Sequence, residues 1–304
     1  MRNLLTKLFS LILTVAGVLL LITTPSHSQT PDKPFAPTRF TVTTEGPATA
    51  PAVLLLPGLT SDREVFDAEV KMLATNHRLY RLQINGFAGQ PAGPNASGPF
   101  LEPVVAELHQ YIAANHLHPA VIGHSLGGLL GLMLAQSHPE DVQKLLIVDS
   151  LPFYALVFSP QATVAIVTPQ AAAMHDRIAA LSDEAYDAQA GQTASYLVLN
   201  PECQKIVAAD SRNSDRIVMA HAMYEDMITD LRPALASVKT LATLLYPFDA
   251  AAVGPDSSKI DAVYTGAYST MPNLTIHRID SSRHFIMFDQ PAAFDKEVQV
   301  FLKQ

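Results

Sequence analysis

One five-residue motif, G-H-S-L-G at residues 123–127, separates a short apolar run at residues 120–122 from a longer apolar segment at residues 126–137. The first run has the length of a buried strand, and the second has the length of a helix. Glycines on both sides of Ser125 indicate a sharp turn between the two, because a side chain at either position would collide with the neighbouring strand or helix. The serine hydroxyl would then project from the start of a helix, where free N–H groups favour negative charge.

The same strand-then-helix order recurs along most of the chain. Apolar runs that predict strands lie at residues 39–44, 52–56, 79–84, 120–123, 145–148, 241–246 and 274–279. Alternation of this kind predicts an α/β fold with a mostly parallel central sheet and helices on both of its faces. Right-handed crossovers place the carboxyl ends of the strands at one edge, where catalytic loops gather.

The alternation stops between residues 151 and 240, where helical patterns continue without clear strands. A stretch of this length is too long for a simple loop, so we predict an inserted helical cap. The predicted core is therefore divided into residues 38–150 and residues 241–304. Residues 29–37 contain three prolines and are predicted to be a linker.

The N-terminus has the pattern of an export signal. Two basic residues precede residues 8–22, which carry no charge and are short for a membrane span. Small residues at Ser26 and Ser28 allow cleavage before Gln29. We predict that residues 1–28 are a signal peptide and that the protein is periplasmic or secreted, without stable membrane insertion after cleavage. The alternative is an uncleaved N-terminal anchor.

Composition excludes several classes of function. The formal net charge of −8 gives no attraction to nucleic acid phosphates. The single cysteine, Cys203, forms no intramolecular disulfide and is expected to be a packed apolar residue. The sequence contains no H-x-x-x-H, C-x-x-C or phosphate-binding glycine loop, so neither a metal nor a cofactor is expected. The oligomeric state is left open.

A serine hydroxyl attacks a carbonyl only when a base removes its proton. Of the eleven histidines, His284 is the best candidate for that base, because it follows the last predicted strand at its carboxyl end. His124 lies inside the turn and is expected to shape it. His175 and His221 lie in the predicted cap, where either could touch a substrate.

The acid that orients the base should also follow a strand at this edge. Asp249 does so and is the first choice for the acid. Asp149, directly after residues 145–148, is the runner-up, and Asp256 is a third possibility. Helix capping by Asp249 is the structural alternative.

An oxyanion formed during acyl transfer needs hydrogen-bond donors. One donor is expected to be the backbone N–H of Leu126, the residue after the serine. The second is expected to be the N–H of Leu59, because Gly58 allows the chain to turn after residues 52–56.

Together these motifs resemble the α/β-hydrolase family, in its capped branch of esterases and lipase-like enzymes. The resemblance covers residues 38–304 and rests on P-G-L at 57–59, G-F-A-G at 86–89, G-H-S-L-G-G at 123–128, Asp249, and H-F-I-M-F-D-Q-P at 284–291. Pro57 departs from the histidine that many members have before the glycine. Dehalogenases and epoxide hydrolases of this fold use an aspartate where this chain has Ser125.

The resemblance implies attack by Ser125 on an acyl carbonyl, an acyl-enzyme, and hydrolysis by water that His284 activates. Met219, Met223 and Met227 recur at helical spacing, as expected for packing of the cap or for an apolar wall of an acyl pocket. The expected substrate is a small neutral or apolar ester. Thioesterase, amidase or peptidase, C–C hydrolase and perhydrolase activities would use the same triad, and a non-catalytic binding scaffold is the rival of a different class.

Overall fold

The computed structural model describes residues 35–304, which contain a single seven-stranded sheet. Its strands are β1 (Phe40–Glu45), β2 (Ala52–Leu56), β3 (Arg78–Ile84), β4 (Ala120–His124), β5 (Lys144–Val148), β6 (Leu241–Phe248) and β7 (Leu274–Asp280). All seven coincide with the apolar runs in the sequence to within a few residues. The signal peptide predicted for residues 1–28 lies outside the described residues, as does most of the predicted linker.

The strand order is β1-β3-β2-β4-β5-β6-β7. β1 pairs antiparallel with β3, and every other neighbouring pair is parallel. The carboxyl ends of β2 to β7 therefore lie at one edge of the sheet. This arrangement, with helices packed on both faces, confirms the predicted fold class.

Eleven α-helices occur in the described residues. They are α1 (Asp67–Leu73), α2 (Leu101–Ala114), α3 (Leu126–Ser137), α4 (Val164–Ala179), α5 (Asp183–Leu197), α6 (Pro201–Arg212), α7 (Arg216–Ile228), α8 (Ala250–Val253), α9 (Ser258–Ala267), α10 (Ile286–Asp289) and α11 (Pro291–Lys303). In residues 35–304, no helix combines the length and the hydropathy needed to cross a membrane.

Both faces of the sheet are buried, as a continuous apolar strand requires. Along β2, Leu54 and Leu56 belong to the core on one face, whereas Val53 and Leu55 belong to the core on the other. The alternation follows from the two-residue period of a strand.

Helices α4 to α7 lie between β5 and β6 in the chain, and we call residues 151–240 the inserted segment. Each of these four helices starts at a polar residue whose side chain accepts a backbone N–H of the first turn, which stabilises the helix start. The four residues are Thr163, Ser182, Asn200 and Asp215.

The inserted segment is hydrogen-bonded to the sheet domain. The two carboxylate oxygens of Glu225, on α7, accept the N–H groups of Phe100 and Leu101 at 2.7 and 2.7 Å. These N–H groups lie at the start of α2 and have no partner within that helix. The carboxylate of Asp210 accepts the N–H of Asp62 at 3.1 Å. The segment thus supplies hydrogen-bond acceptors to backbone groups of the core.

Glu69, on α1, is buried, and neither of its carboxyl oxygens has a hydrogen-bond partner within the described residues. Burial raises the pKa of Glu69 to about 7, and the nearby Asp295 of α11 raises it further. In the unfolded chain the same carboxyl titrates near its ordinary pKa of 4.5. Between these two pH values the folded protein holds a proton that the unfolded chain has released.

We expect the free energy of unfolding to fall as pH rises from about 4.5 to about 7, and then to level off. Burial of the ionised Glu69 carboxyl is expected to contribute on the order of 3 kcal/mol to this fall. Glu69→Gln, which carries no charge at any pH, should flatten the dependence. Denaturant unfolding at pH 5 and pH 8 measures the pH dependence of the free energy of unfolding. The exposed Glu64→Gln is the matched control and should keep the slope of the native protein; equal slopes in all three proteins would contradict the assignment.

Candidate active site

Ser125 lies between the end of β4 and the start of α3 in a backbone conformation that side chains rarely adopt, with φ 53° and ψ −122°. The Ser125 N–H donates to the Val148 carbonyl of β5 at 2.8 Å. The Ser125 carbonyl accepts the N–H of Gly128 at 2.8 Å, which starts the helix. The strained turn therefore holds the serine at the carboxyl edge of the sheet.

The lack of a side chain at Gly127 allows the sharp turn after Ser125. A Cβ atom at Gly127 would lie 2.1 Å from the carbonyl oxygen of Leu56, the last residue of β2. No side chain fits at that distance, so only glycine allows the first turn of α3 to rest directly on the backbone of β2.

The loop after β2 passes close to the serine. A Cβ atom built at Gly58 would lie 3.1 Å from Ser125 Cβ. The two N–H groups expected to bind an oxyanion, those of Leu59 and Leu126, belong to this loop and to the turn itself. Within residues 35–304, neither of these N–H groups donates a hydrogen bond. Both are free to bind an anionic oxygen near Ser125.

His284 follows β7 at the same edge, and its partner is Asp149. His284 Nδ1 lies 2.6 Å from Asp149 Oδ2. Since a carboxylate oxygen can only accept, Nδ1 donates, and in the neutral ring this places the lone pair on Nε2, as a base requires. In the part of the chain that the structure describes, no hydrogen bond joins the Ser125 hydroxyl to His284.

Asp149 is held firmly by its surroundings. It follows β5 with φ 45°, and its N–H donates to the Leu245 carbonyl at 2.8 Å. The Tyr264 hydroxyl donates to Asp149 Oδ1, and burial together with Asp149 raises the pKa of Tyr264 well above its usual value. Tyr264 therefore remains a neutral donor that fixes the carboxylate facing His284.

The structure does not bring Asp249 to His284, and the expected contact between these two residues is wrong. Asp249 Oδ2 accepts from Arg283 Nε at 2.9 Å, and Asp249 Oδ1 accepts the Ala251 N–H at 3.0 Å. The second bond makes Asp249 the N-cap of the short helix α8. Arg283, the residue before His284, binds Asp249. Asp149 is the carboxylate that contacts the His284 imidazole.

Asp256, the third candidate acid, accepts the N–H of Ser258 at 2.9 Å and is exposed. His175 and His221 contact each other at 3.1 Å through their ring nitrogens. Neither histidine is among the residues that line the cavities described below.

His124 connects the serine turn to the histidine loop. Its ring is fully buried, and its Nε2 donates to the His284 carbonyl at 3.0 Å. Burial lowers the pKa of His124 well below its usual value, so the ring is neutral. The ring packs against His284 with centroids 4.6 Å apart, which agrees with the expected role of shaping the turn.

The loop that carries His284 is also hydrogen-bonded to the end of α5. Arg283 Nη1 donates to the Ser195 carbonyl at 2.9 Å. Asp289 accepts the N–H of Arg283 through one oxygen and the N–H of Leu199 through the other, both at 2.8 Å. The inserted segment thus helps to position the histidine loop.

Asp226, on α7, is a carboxyl near the site that sequence reasoning missed. It is buried, and no hydrogen bond to its carboxyl occurs within residues 35–304. Burial raises the pKa of Asp226 to about 7, and His284 opposes the rise. Tyr154 has its pKa raised to about 12 by burial, by Asp226 and by Asp149. No spacing or motif in the sequence indicates that Asp226 is buried near the site.

An apolar cavity of about 190 Å³ lies within the inserted segment. It is lined by Tyr154, Phe158, Met174, Arg177, Ile178, Gln189, Thr193, Met219 and Met223. Met227, the third methionine of the series, is buried instead. A second cavity, of about 330 Å³, is lined largely by charged residues of α5 to α7 and contains no predicted site residue.

The sheet, the strained serine turn and the histidine–carboxylate pair together define the α/β-hydrolase class of fold. A sequence profile of the alpha/beta hydrolase family matches residues 53–297, and the chain belongs to this family.

Two curated relatives share part of the sequence. The putative carbamate hydrolase RutD of Yersinia enterocolitica is 32% identical over 114 residues, which are 37% of this chain and 41% of that protein. The sn-1-specific diacylglycerol lipase ABHD11 of Mus musculus is 31% identical over 111 residues, 36% of this chain and 35% of that protein. The matched parts thus span less than half the length of either relative.

Solved structures match over most of the chain. An esterase from Exiguobacterium antarcticum has a TM-score of 0.72 at 14% identity, covering 87% of this chain and 96% of the esterase. The enol-lactonase from Burkholderia xenovorans LB400 has a TM-score of 0.70 at 17% identity, with coverage of 87% and 96%. At these identities the similarity establishes the fold.

The contact of His284 with Asp149 can be tested without a substrate. A hydrogen bond of this length shifts the imidazole Nδ1 proton strongly downfield, so we expect a far-downfield resonance in the proton NMR spectrum. Asp149→Asn should remove or move this resonance. Asp249→Asn, which removes the Arg283 partner instead, should retain it. Loss of the resonance in Asp249→Asn alone would restore Asp249 as the acid.

Proposed function

We propose that the protein is a serine hydrolase that cleaves a carboxylic ester of a small neutral or apolar substrate through an acyl-enzyme on Ser125. His284 is the base and acid, and Asp149 orients it. The observation that carries this proposal is the 2.6 Å contact between His284 and Asp149 at the sheet edge where the strained turn presents Ser125.

In the first half of the reaction, Ser125 Oγ attacks the ester carbonyl carbon while its proton passes to His284 Nε2. The oxyanion accepts hydrogen bonds from the N–H groups of Leu59 and Leu126, each worth about 3 kcal/mol in such sites. The imidazolium then protonates the departing alcohol, and the acyl group stays on Ser125.

In the second half, His284 takes a proton from water as the water attacks the acyl carbon. Collapse of the second tetrahedral intermediate releases the carboxylic acid and returns the proton to Ser125 Oγ. The serine–histidine hydrogen bond forms when the substrate is bound, as such bonds often tighten in the reactive complex.

The apolar cavity supports the choice of substrate. Met219 and Met223 line it from α7, and methionine adapts to irregular acyl chains. Its volume of about 190 Å³ suits a short or medium acyl group. Because the similar proteins include a putative carbamate hydrolase, a lipase, an esterase and an enol-lactonase, carbamates and lactones belong among the substrates to be compared.

We also propose that the protein is exported, with cleavage before Gln29. The proposal is supported by the charge and hydropathy pattern of residues 1–28.

Ser125→Ala should abolish ester hydrolysis, since Ser125 Oγ is the nucleophile of the proposed acyl-enzyme. The measurement is labelling by a fluorophosphonate together with turnover of p-nitrophenyl esters of increasing chain length. The native protein should be labelled at Ser125, and Ser125→Ala should be unlabelled with its circular dichroism unchanged. Unlabelled, inactive native protein would favour a binding scaffold, and unchanged turnover in Ser125→Ala would exclude the serine mechanism.

Asp226 should make the site discriminate against anionic substrates as pH rises. Its pKa of about 7 means that the carboxyl is neutral at pH 6 and negative at pH 8.5. The ratio of kcat/KM for a neutral ester to that for a matched ester with a sulfonate on its acyl chain should therefore increase through pH 7. Taking the ratio cancels the titration of groups that affect both substrates.

Asp226→Asn should make this ratio independent of pH, and the exposed Asp256→Asn is the matched control that should behave as the native protein. A ratio that rises equally in Asp226→Asn would assign the effect to another group.

A further inference from the structure

Two histidines stack against each other at the end of α3 opposite to Ser125. His109 lies on α2, and His138 is the residue after α3. Their ring centroids are 3.7 Å apart, with an angle of 11° between the planes. Glu140 is beside them, with one carboxylate oxygen 3.7 Å from His138 Nδ1.

These three side chains bring their metal-binding atoms close together. One nitrogen from each imidazole and one oxygen of Glu140 all lie within 4.8 Å of one another. Donor atoms bound to one tetrahedral Zn²⁺ at 2.0–2.1 Å are about 3.3 Å apart. The pair formed by His138 and Glu140, 3.7 Å apart, is near that separation. The nearly parallel His109 and His138 rings must rotate out of their stack for both lone pairs to reach one ion.

A fourth residue orients the first ligand. Asp141 Oδ2 lies 2.7 Å from His109 Nδ1, and the Asp141 side chain is only 7% exposed. Because the carboxylate accepts, His109 carries its proton on Nδ1 and has a free lone pair on Nε2. A histidine whose second nitrogen donates to a carboxylate is the arrangement that metal-binding histidines generally show.

The backbone near Glu140 is held as well. His118 Nδ1 lies 2.7 Å from the Glu140 carbonyl, which can only accept, so the His118 ring donates to it. The connection between α3 and β5 is thereby fixed to the loop before β4. The Glu140 side chain is 66% exposed and the His138 side chain 30% exposed, so both can turn toward an ion that arrives from solvent.

We propose that His109, His138 and Glu140 form a binding site for a divalent transition-metal ion of the Zn²⁺ type, with Asp141 positioning His109. Two imidazole nitrogens and one carboxylate oxygen suit Zn²⁺ and its neighbours in the first transition row better than Mg²⁺ or Ca²⁺. The stacked His138 ring turns so that its lone pair meets that of His109 at the ion, and water fills the fourth position.

The site is independent of the proposed catalysis. It lies before Lys144, the first residue of β5, whereas Asp149 follows the last residue of that strand. A bound ion links α2 to the connection between α3 and β5. Its expected effect is on stability, because an ion that binds only the folded state raises the melting temperature.

The test is calorimetric titration of Zn²⁺ into the purified full chain without a polyhistidine tag, after treatment with a chelator. We expect one strongly bound equivalent and a rise in melting temperature. His109→Asn, His138→Asn and Glu140→Gln should each weaken binding by about tenfold or more, and Asp141→Asn by about 10- to 100-fold. Substitution of Co²⁺ should give the visible absorption of a four-coordinate site.

His175→Asn is the matched control. It removes one histidine of the other close pair, His175 and His221. The nearby Asp176 carboxylate contacts the opposite ring nitrogen of His175, at 3.0 Å from Nδ1, so within the described residues this pair is not part of a group whose three ligand atoms converge. This variant should bind Zn²⁺ as the native protein does. A cooperative thermal unfolding transition, recorded without metal, shows that each variant is folded.

The proposal is overturned if the native chain binds no Zn²⁺, if folded His109→Asn and Glu140→Gln bind it as tightly as the native chain, or if binding is lost in His175→Asn. Ester hydrolysis, measured separately, reports on Ser125 alone, so failure of either proposal is distinguishable from failure of the other.

Discussion

The direct contact between the first turn of α3 and the backbone of β2 is the constraint on which the candidate site depends. It exists because residue 127 has no side chain to separate the Leu56 carbonyl from the helix. With the helix start fixed there, Ser125 has to adopt positive φ, and the loop at Gly58 and Leu59 has to pass beside it. The serine, two free N–H groups and the end of β5 are consequently brought together by backbone geometry, before any side-chain interaction is counted.

Side chains from distant parts of the chain then complete the arrangement. Asp149 and Tyr264 fix one side of the His284 ring, and His124 holds the carbonyl of the same residue. The inserted segment contributes a buried carboxyl, Asp226, and an apolar cavity. The apolar cavity and the candidate reactive groups therefore come from different parts of the sequence, and this fold permits the cavity to change without altering the serine turn.

The sequence was sufficient for the sheet, because the inner strands β2, β4, β5 and β6 are nearly continuous apolar runs, β1 and β3 alternate, and the glycines around Ser125 permit only a sharp turn. It also placed Ser125 and His284 at the same edge. It did not distinguish Asp149 from Asp249, since both follow neighbouring parallel strands at that edge. The distinction depends on Arg283, whose guanidinium binds Asp249, and on Tyr264, whose hydroxyl binds Asp149; both contacts join residues far apart in the chain.

Asp226 and the metal-binding group were beyond sequence reasoning for a related reason. Asp226 is a single aspartate on a largely apolar helix, and its spacing from other residues does not indicate that it is buried. His109 lies on α2 and His138 follows α3, and no short motif contains them both. Such groups are recognised only when packing has brought separate elements together.

The hydrogen bonds between the His284 loop and the end of α5 have a consequence for how a substrate enters. Arg283 and Asp289 bind the backbone of residues 195 and 199, so hydrogen bonds tie the loop directly to the end of α5. If α5 swung outward to admit a molecule, it would pull the imidazole away from Asp149. Opening by that route would separate His284 from its carboxylate partner, so the arrangement of α5 described here is the one that keeps the His284–Asp149 pair intact.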